Sequence, residues 1–383
     1  MALNIWRVNK RYFSLSKLLS LLEDPRYPSV GPHLRLLGLT GIWQPKKTKI
    51  KQCIFYITVG FFFSQYVKCV IKFHPVPLKL ILQYAPFHLG VVKACFFQKD
   101  FKKWKSIIDY VSDVECKEIA GRNDEKLRII TEYIKRSRKI TYFFWALAFF
   151  SNFAIFSEPY QKNQAGTNGT GVYLKVLDGY TPFSDEPPGY YFSMLVQTVL
   201  GHMMSVYVVG WDTLVLTIMI FLKGQLRIMR LNYANIIDVK DADKSRNNIM
   251  KCHRFHVTFV KYQKLFNSLI SPAMFVYLIL VSVNLGVCII EIAQLQDDLK
   301  TLISSCLFVV ACLIQLLLFF WHSNEVTEES TLVSYGTFES DWVEMDVKCQ
   351  KEVALLGLTT RTRLVFKAGP FNEMSLNTFI AVS

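Results

Sequence analysis

The chain has 383 residues, of which 51% are hydrophobic, 14% aromatic and only 19% charged, and Phe alone occurs 30 times. A formal charge of +14 would suit nucleic acid, but the basic residues fall in blocks between long apolar runs, the pattern of an integral membrane protein. That distribution argues against a nucleic-acid partner and against a soluble two- or three-domain protein of this length.

The start, MALNIWRVNKRYF, is basic, and the SLSKLLSLLEDP that follows is short, amphipathic and broken by charge. It reads as an interfacial or loop-packing helix rather than a signal peptide, which leaves the N-terminus in the cytosol. A membrane-spanning helix needs roughly 20 mainly apolar residues to cross about 30 Å of hydrocarbon. Six runs meet this: residues 52–73, 78–97, 140–157, 190–222, 269–292 and 302–322. A seventh begins near Phe371. The fourth run is too long for one crossing and continues into the basic, helix-compatible 224–233, so it is expected to protrude on the inner side. Pro86 and Pro272 start or kink helices.

Orientation follows from Lys and Arg. Segments 1–51, 98–139, 223–266 and 323–370 hold 10, 12, 10 and 5 of them, whereas 72–79, 159–189 and 293–301 hold 2, 2 and 1. By the positive-inside rule the first set is cytosolic, which puts the N-terminus inside and the C-terminus, after seven crossings, outside. Lys68 and Lys93, inside the first two runs, are placed to snorkel toward opposite faces. The 159–189 loop carries the sequon Asn168-Gly169-Thr170, usable only on the outer side, and reads as an ordered external lid. The fold class expected is therefore all-α and polytopic: seven transmembrane helices plus a cytosolic helical anchor bundle. Four regions result: a cytosolic segment 1–51, a six-helix region 52–322 with cytosolic extensions, an anchor region 323–370, and the start of a seventh helix at 371–383. No internal repeat supports an inverted-repeat transporter.

Catalytic signatures are scarce. The nine cysteines form no CxxC and no ligand-spaced cluster, and most lie in apolar runs, where a thiol acts as a small hydrophobe. His253 and His256 share a helical face but lack further metal ligands, so they read as a solvated face, and no metal site is expected. Asp297 and Asp298 sit in a short external turn without a partner acid. There is no P-loop, GxSxG or HExxH, and neither an enzyme nor a cofactor is expected. Asp212 in the fourth run implies an ion path if it lies at mid-membrane. The overrun of that helix places it nearer the inner interface, with Arg227 or a tyrosine hydroxyl as partner.

The intramembrane faces are more informative. Tyr84, Phe87 and His88 share a face of the second run, and Trp145, Ala148 and Asn152 a face of the third. Met203, Met204 and Tyr207 follow on the fourth, and Cys306, Val309 and Val310 on the sixth. From the residues alone these faces read first as helix packing and second as an apolar cavity with a few polar groups. Below the membrane, Tyr335, Trp342, Val353, Leu355 and Leu358 lie among polar residues, as in a helical bundle that offers an oligomerisation surface.

At the C-terminal stretch the residues become recognisable. Glu329-Ser330, Tyr335, Trp342 and KAGPFNEMSLNTF (367–379) resemble the signature of the insect odorant receptor family, supported by LRLLGLTGIWQP (34–45) and WDTLVLTIMIFLKGQLRIM (211–229). The related gustatory receptors share the general plan, while a G-protein-coupled receptor has the reverse topology. The resemblance implies an odorant-binding subunit of a ligand-gated, non-selective cation channel. It implies assembly with the shared coreceptor as a heterotetramer through cytosolic parts of the later helices, and a volatile ligand held in the outer half of helices two to six. It also implies a plasma-membrane location in the dendrites or cilia of olfactory neurons. A final pore-lining helix would carry Phe371, Leu376, Phe379 and Ile380. From residue 372 to 383 a helix reaches only about 18 Å, so the resemblance implies a pore helix that is C-terminally truncated here, the gate lying in the missing part.

Overall fold

A computed structural model describes residues 20–46, 48–71, 85–164, 173, 175, 182–184, 186–294, 299–370 and 372–382, and most of them are helical. The helices are α1 (Gly31–Leu39), α2 (Lys49–Ile71), α3 (Ala85–Lys99), α4 (Phe101–Ala120), α5 (Asp124–Gln164), α6 (Gly189–Ala234), α7 (Ala242–Gln294), α8 (Leu299–Phe338), α9 (Val347–Thr360) and α10 (Leu376–Val382). A single 3₁₀ turn, Trp342–Glu344, precedes α9. Among the described residues the only strand pairing joins β1 (Lys367–Ala368) to β2 (Asn372–Glu373), antiparallel. The all-α expectation holds. Among the described residues, four helices are long and apolar enough to cross a membrane: Asp124–Gln161, Gly189–Ala234, Ala242–Val283 and Val309–Glu344.

The boundaries follow local chemistry. Gly41 follows α1 at φ +81°, and the Ile42 and Trp43 amides both reach the Leu37 carbonyl at 3.0 Å. This left-handed cap satisfies carbonyls that the helix end would orphan, and it favours glycine. Asn123 caps α5 through its side chain to the Lys126 amide at 3.1 Å, and Asp241 caps α7 through the Lys244 amide at 2.9 Å, both standard N-cap bonds. The overrun expected of the fourth run is present: α6 has 46 residues, about 69 Å at 1.5 Å per residue. Two differences stand out. Helix α5 continues through Pro159 to Gln164, so the external segment starts later than the proline suggests. One proline removes a single backbone bond, and the bonded turns on either side carry the helix past it. His256 is 7% exposed, so it does not lie on a solvated face. It belongs to the α7 stripe of Ile249, Phe259, Gln263 and Phe266, whose spacing matches the helical period.

The chain divides into two compact units: Met1–Pro25, Gly31–Phe101 and Arg138–Leu214 form one, and Arg26–Val30, Lys102–Ser137 and Val215–Ser383 the other. In the first unit, α5 turns Phe143, Leu147, Phe149, Phe150 and Phe153 outward, as a lipid-facing surface requires. In the second, the inner stripe of α4 (Trp104, Ile107, Ile108, Val111, Val114) is buried. Trp104 meets Phe266 edge-on at 6.1 Å, and Tyr110 stacks on Tyr262 at 3.9 Å. Two acids, the buried Glu115 and the half-buried Glu325, organise polar contacts in this unit. Glu115 accepts from the Ser29 amide at 3.0 Å and from the Tyr133 hydroxyl at 2.8 Å. Glu325 on α8 is reached by Arg136 of α5 at 3.0 Å, Lys223 of α6 at 2.8 Å and its own neighbour His322 at 2.8 Å.

Candidate functional site

The faces singled out in the sequence fall mostly in the first unit. His88 on α3 is buried, its ring edge-on to Phe62 of α2 at 4.3 Å. Phe87 is in α3, but its side chain lies outside the described set, as does all of Tyr84. On α5, Asn152 is buried while Trp145 and Ala148 are half-buried. The Trp145 indole N–H donates to Thr213 Oγ1 at 3.1 Å, and its ring meets His33 and Tyr142. On α6, Met204 and Tyr207 are wholly buried. The Tyr207 hydroxyl donates to the Thr40 carbonyl at 3.1 Å, and its ring lies 6.2 Å from that of Phe55. Met203 is half-buried, with its sulfur 3.9 Å from the Thr58 hydroxyl. His202, beside them, bonds the Thr198 carbonyl at 2.8 Å and packs on Phe156.

Helix α2 thus supplies a wall that the sequence reading omitted: among its described side chains, Phe55, Thr58 and Phe62 are buried. Their spacing, i, i+3 and i+7, was a usable signal. It was hidden because this run is apolar on every side, so no polar face marks the opposite one. Together α2, α3, α5 and α6 contribute aromatic and thioether surface with a few hydroxyl, amide and imidazole groups. Surfaces of this composition, where they enclose a cavity, suit small and mainly apolar molecules held by one or two hydrogen bonds.

Further along the same helices, Lys93 and Asp212 correct the sequence reading. Lys93 does not snorkel; it is fully buried, with Nζ 2.5 Å from Asp212 Oδ1 and 4.9 Å from the centroid of the Trp211 ring. Asp212 is therefore satisfied by a lysine on α3 rather than by Arg227 or a tyrosine. A buried carboxylate makes its strongest available contact with a charged donor, and Trp211 adds a ring face to the same ammonium. Arg227 instead approaches Glu132 at 3.7 Å.

The remaining expected residues lie in the second unit or outside the described residues. On α8, Cys306 and Val310 are exposed and Val309 half-buried. Tyr335, Leu355 and Leu358 are exposed and Trp342 half-buried against Phe338, while Cys349, Val353, Leu356 and Thr360 form the inward side of α9. In α10, Leu376 and Phe379 are half-buried and Ile380 exposed, and the Phe379 ring is 6.1 Å from that of Phe320. Phe371, Asn168, Asp297 and Asp298 are outside the described residues. Among the described residues no group of three His, Cys, Asp or Glu side chains is placed to hold a metal ion.

Residues 80–383 match the family described as 7tm Odorant receptor. Odorant receptor 10 of Aedes albopictus is 22% identical over 76% of each chain. Odorant receptor 42b of Drosophila melanogaster is 23% identical over 73% of this chain and 67% of its own. In fold the chain is similar to the insect olfactory receptor OR5 from Machilis hrabei: TM-score 0.75 at 15% identity, covering 91% of this chain and 93% of that one. The same receptor in complex with eugenol gives a TM-score of 0.76 at 14% identity, covering 94% and 96%.

Proposed function

Because the chain belongs to the insect odorant receptor family, we propose that it is the odorant-binding subunit of a heteromeric, odorant-gated, non-selective cation channel. The observation that supports this reading, beside the family, is that His88, Asn152, Met204 and Tyr207 are buried side chains of one unit whose neighbours are apolar but for a few hydrogen-bonding atoms. The coreceptor is the partner, and cations pass through the shared pore. The ligand is a small volatile, and the mix of amide, imidazole, sulfur and aromatic groups suits an alcohol, ester or aromatic. The eugenol complex of the Machilis hrabei receptor supports the aromatic class. Tyr84 and Phe87, at i and i+3 to His88 at i+4 in the sequence, are further contributors, and Trp145, Ala148 and Met203 complete the wall. The exposed apolar side of the cytosolic segment, with Tyr335, Leu355 and Leu358, is the assembly surface, and α10 begins the pore-lining helix. Binding acts by favouring the open state to the extent that the ligand prefers it.

Expression of the full-length receptor with the coreceptor, in the plasma membrane of a recording cell, tests this. Volatiles are expected to evoke non-selective cation current only when both subunits are present. Current from this subunit alone would count against an odorant-tuning role. A C-terminal epitope is expected to be labelled from outside unpermeabilised cells, and staining only after permeabilisation would remove the channel reading.

A further inference from the structure

The segment between α9 and α10 lies along α7 in a fixed register. Gln263 Nε2 donates to the Val365 carbonyl at 3.2 Å. Four residues on, Asn267 Oδ1 accepts from the Lys367 amide at 2.8 Å. Four further on, Ser271 Oγ accepts from the Gly369 amide at 3.0 Å and donates back to the Gly369 carbonyl at 3.4 Å. The Ser271 carbonyl takes the same amide at 3.2 Å. Every fourth residue of the helix thus reads every second residue of an extended chain. Four helical residues advance about 6.0 Å and two extended residues about 6.6 Å, so the two periods stay in step over three contacts.

The segment is held on other sides as well. The Leu364 amide donates to Ser330 Oγ of α8 at 3.0 Å, and the buried Phe366 ring meets Phe266 of α7 edge-on at 5.8 Å. At Gly369, φ is +73° and a Cβ would stand 2.5 Å from the Phe275 ring, so only glycine seats the chain this close to α7. The chain then turns through the β1–β2 hairpin, and the Met374 amide returns to the Phe366 carbonyl at 2.9 Å. Helix α10 starts two residues later.

We propose that Gln263, Asn267 and Ser271 are a positioning track that sets where α10 begins, so that axial or rotational movement of α7 is passed to α10. This rests on reading α10 as the start of the pore-lining helix. A shift of α7 relative to the extended 365–369 segment breaks all three contacts at once. The track therefore resists slippage and transmits movement as a unit instead of deforming gradually.

The test uses the full-length receptor co-expressed with the coreceptor, with surface amount measured for every variant. N267A and S271A are expected to raise the half-maximal ligand concentration about fivefold, the scale of one lost hydrogen bond. N267D keeps the acceptor and S271T the hydroxyl, and both are expected to stay at the parental value. S268A, on an exposed residue bonded to its own helix, is the control and should change nothing. In receptor purified from the same cells, amide exchange at Lys367, whose bond is to the Asn267 side chain, is expected to be about fivefold faster in N267A. Unchanged exchange would overturn the track. Faster exchange with an unmoved half-maximal concentration at equal surface amount would overturn the coupling. Absence of any ligand current from the parental pair would instead remove the channel reading on which the coupling rests, and the exchange result would then decide the track alone.

Discussion

Two side chains show how unevenly a residue's role can be read from sequence. Lys93 and Asp212 stand 119 residues apart, and nothing in either run states which face of its helix meets the other. Positive-inside counting accounts for the basic blocks but not for one lysine whose partner depends on rotation about two helix axes. Neutralising either member leaves a buried charge without its counter-ion, at a cost of about 3–5 kcal/mol. K93M and D212L singly are therefore expected to lose most surface expression, and the K93M/D212L pair to recover much of it, as surface labelling will show. Recovery no better than the worse single variant would mean that the pair is not a self-contained unit. Met204 carries a prediction of a different kind. Being fully buried, it sets the size of the proposed site, so M204F is expected to weaken the response to bulky ligands about tenfold more than to small ones. A loss of one to three kcal/mol is typical when an added group overfills a packed interior. The readout is the ratio of half-maximal concentrations across a homologous series at matched surface amount.

The elements were largely legible. Apolar length announced the long helices, and the basic run after the fourth announced the overrun of α6, because both rest on local composition. Helix ends were less so. Pro159 pointed to a break that α5 passes through, and His256 looked solvated although it lies on the buried stripe of α7, because a polar residue among polar neighbours gives no sign of which way it turns. The cap of α1 is a sharper case. Gly41 was quoted only as part of a resemblance, yet its φ of +81° and the 2.4 Å approach of a would-be Cβ to the Lys51 carbonyl oxygen make it a backbone requirement. G41A is expected to destabilise the first unit by about 1–2 kcal/mol from the left-handed conformation alone, with the close contact adding to it. This is measurable as a lower melting temperature of detergent-solubilised receptor, with G60A, at a helical position open on all sides, as the comparison.

At the scale of the whole molecule, residues 335–358 leave several large apolar side chains on the surface of the described chain. Tyr335, Phe338, Val343, Val347, Leu355 and Leu358 are each more than half exposed. The positive-inside count assigns this segment, 323–370, to the cytosolic side as an expectation. Isolated apolar residues are ordinary on a surface, whereas several within some two dozen residues mark a contact region. L355E with L358E is expected to leave the chain folded, because neither side chain contributes to the inward side of α9, and to shift co-expressed receptor toward smaller species in native electrophoresis. An unchanged size distribution would place assembly elsewhere.

The buried Lys93–Asp212 contact also bears on how the chain is made. Lys93 leaves the ribosome 119 residues before Asp212, which at synthesis rates of 5–20 residues per second is an interval of roughly 6–24 s. Throughout that interval α3 carries an ammonium with no carboxylate to meet it. The two charges that meet in the finished fold are thus made at separate times, the carboxylate last, and the α3–α6 contact they form cannot precede the synthesis of α6.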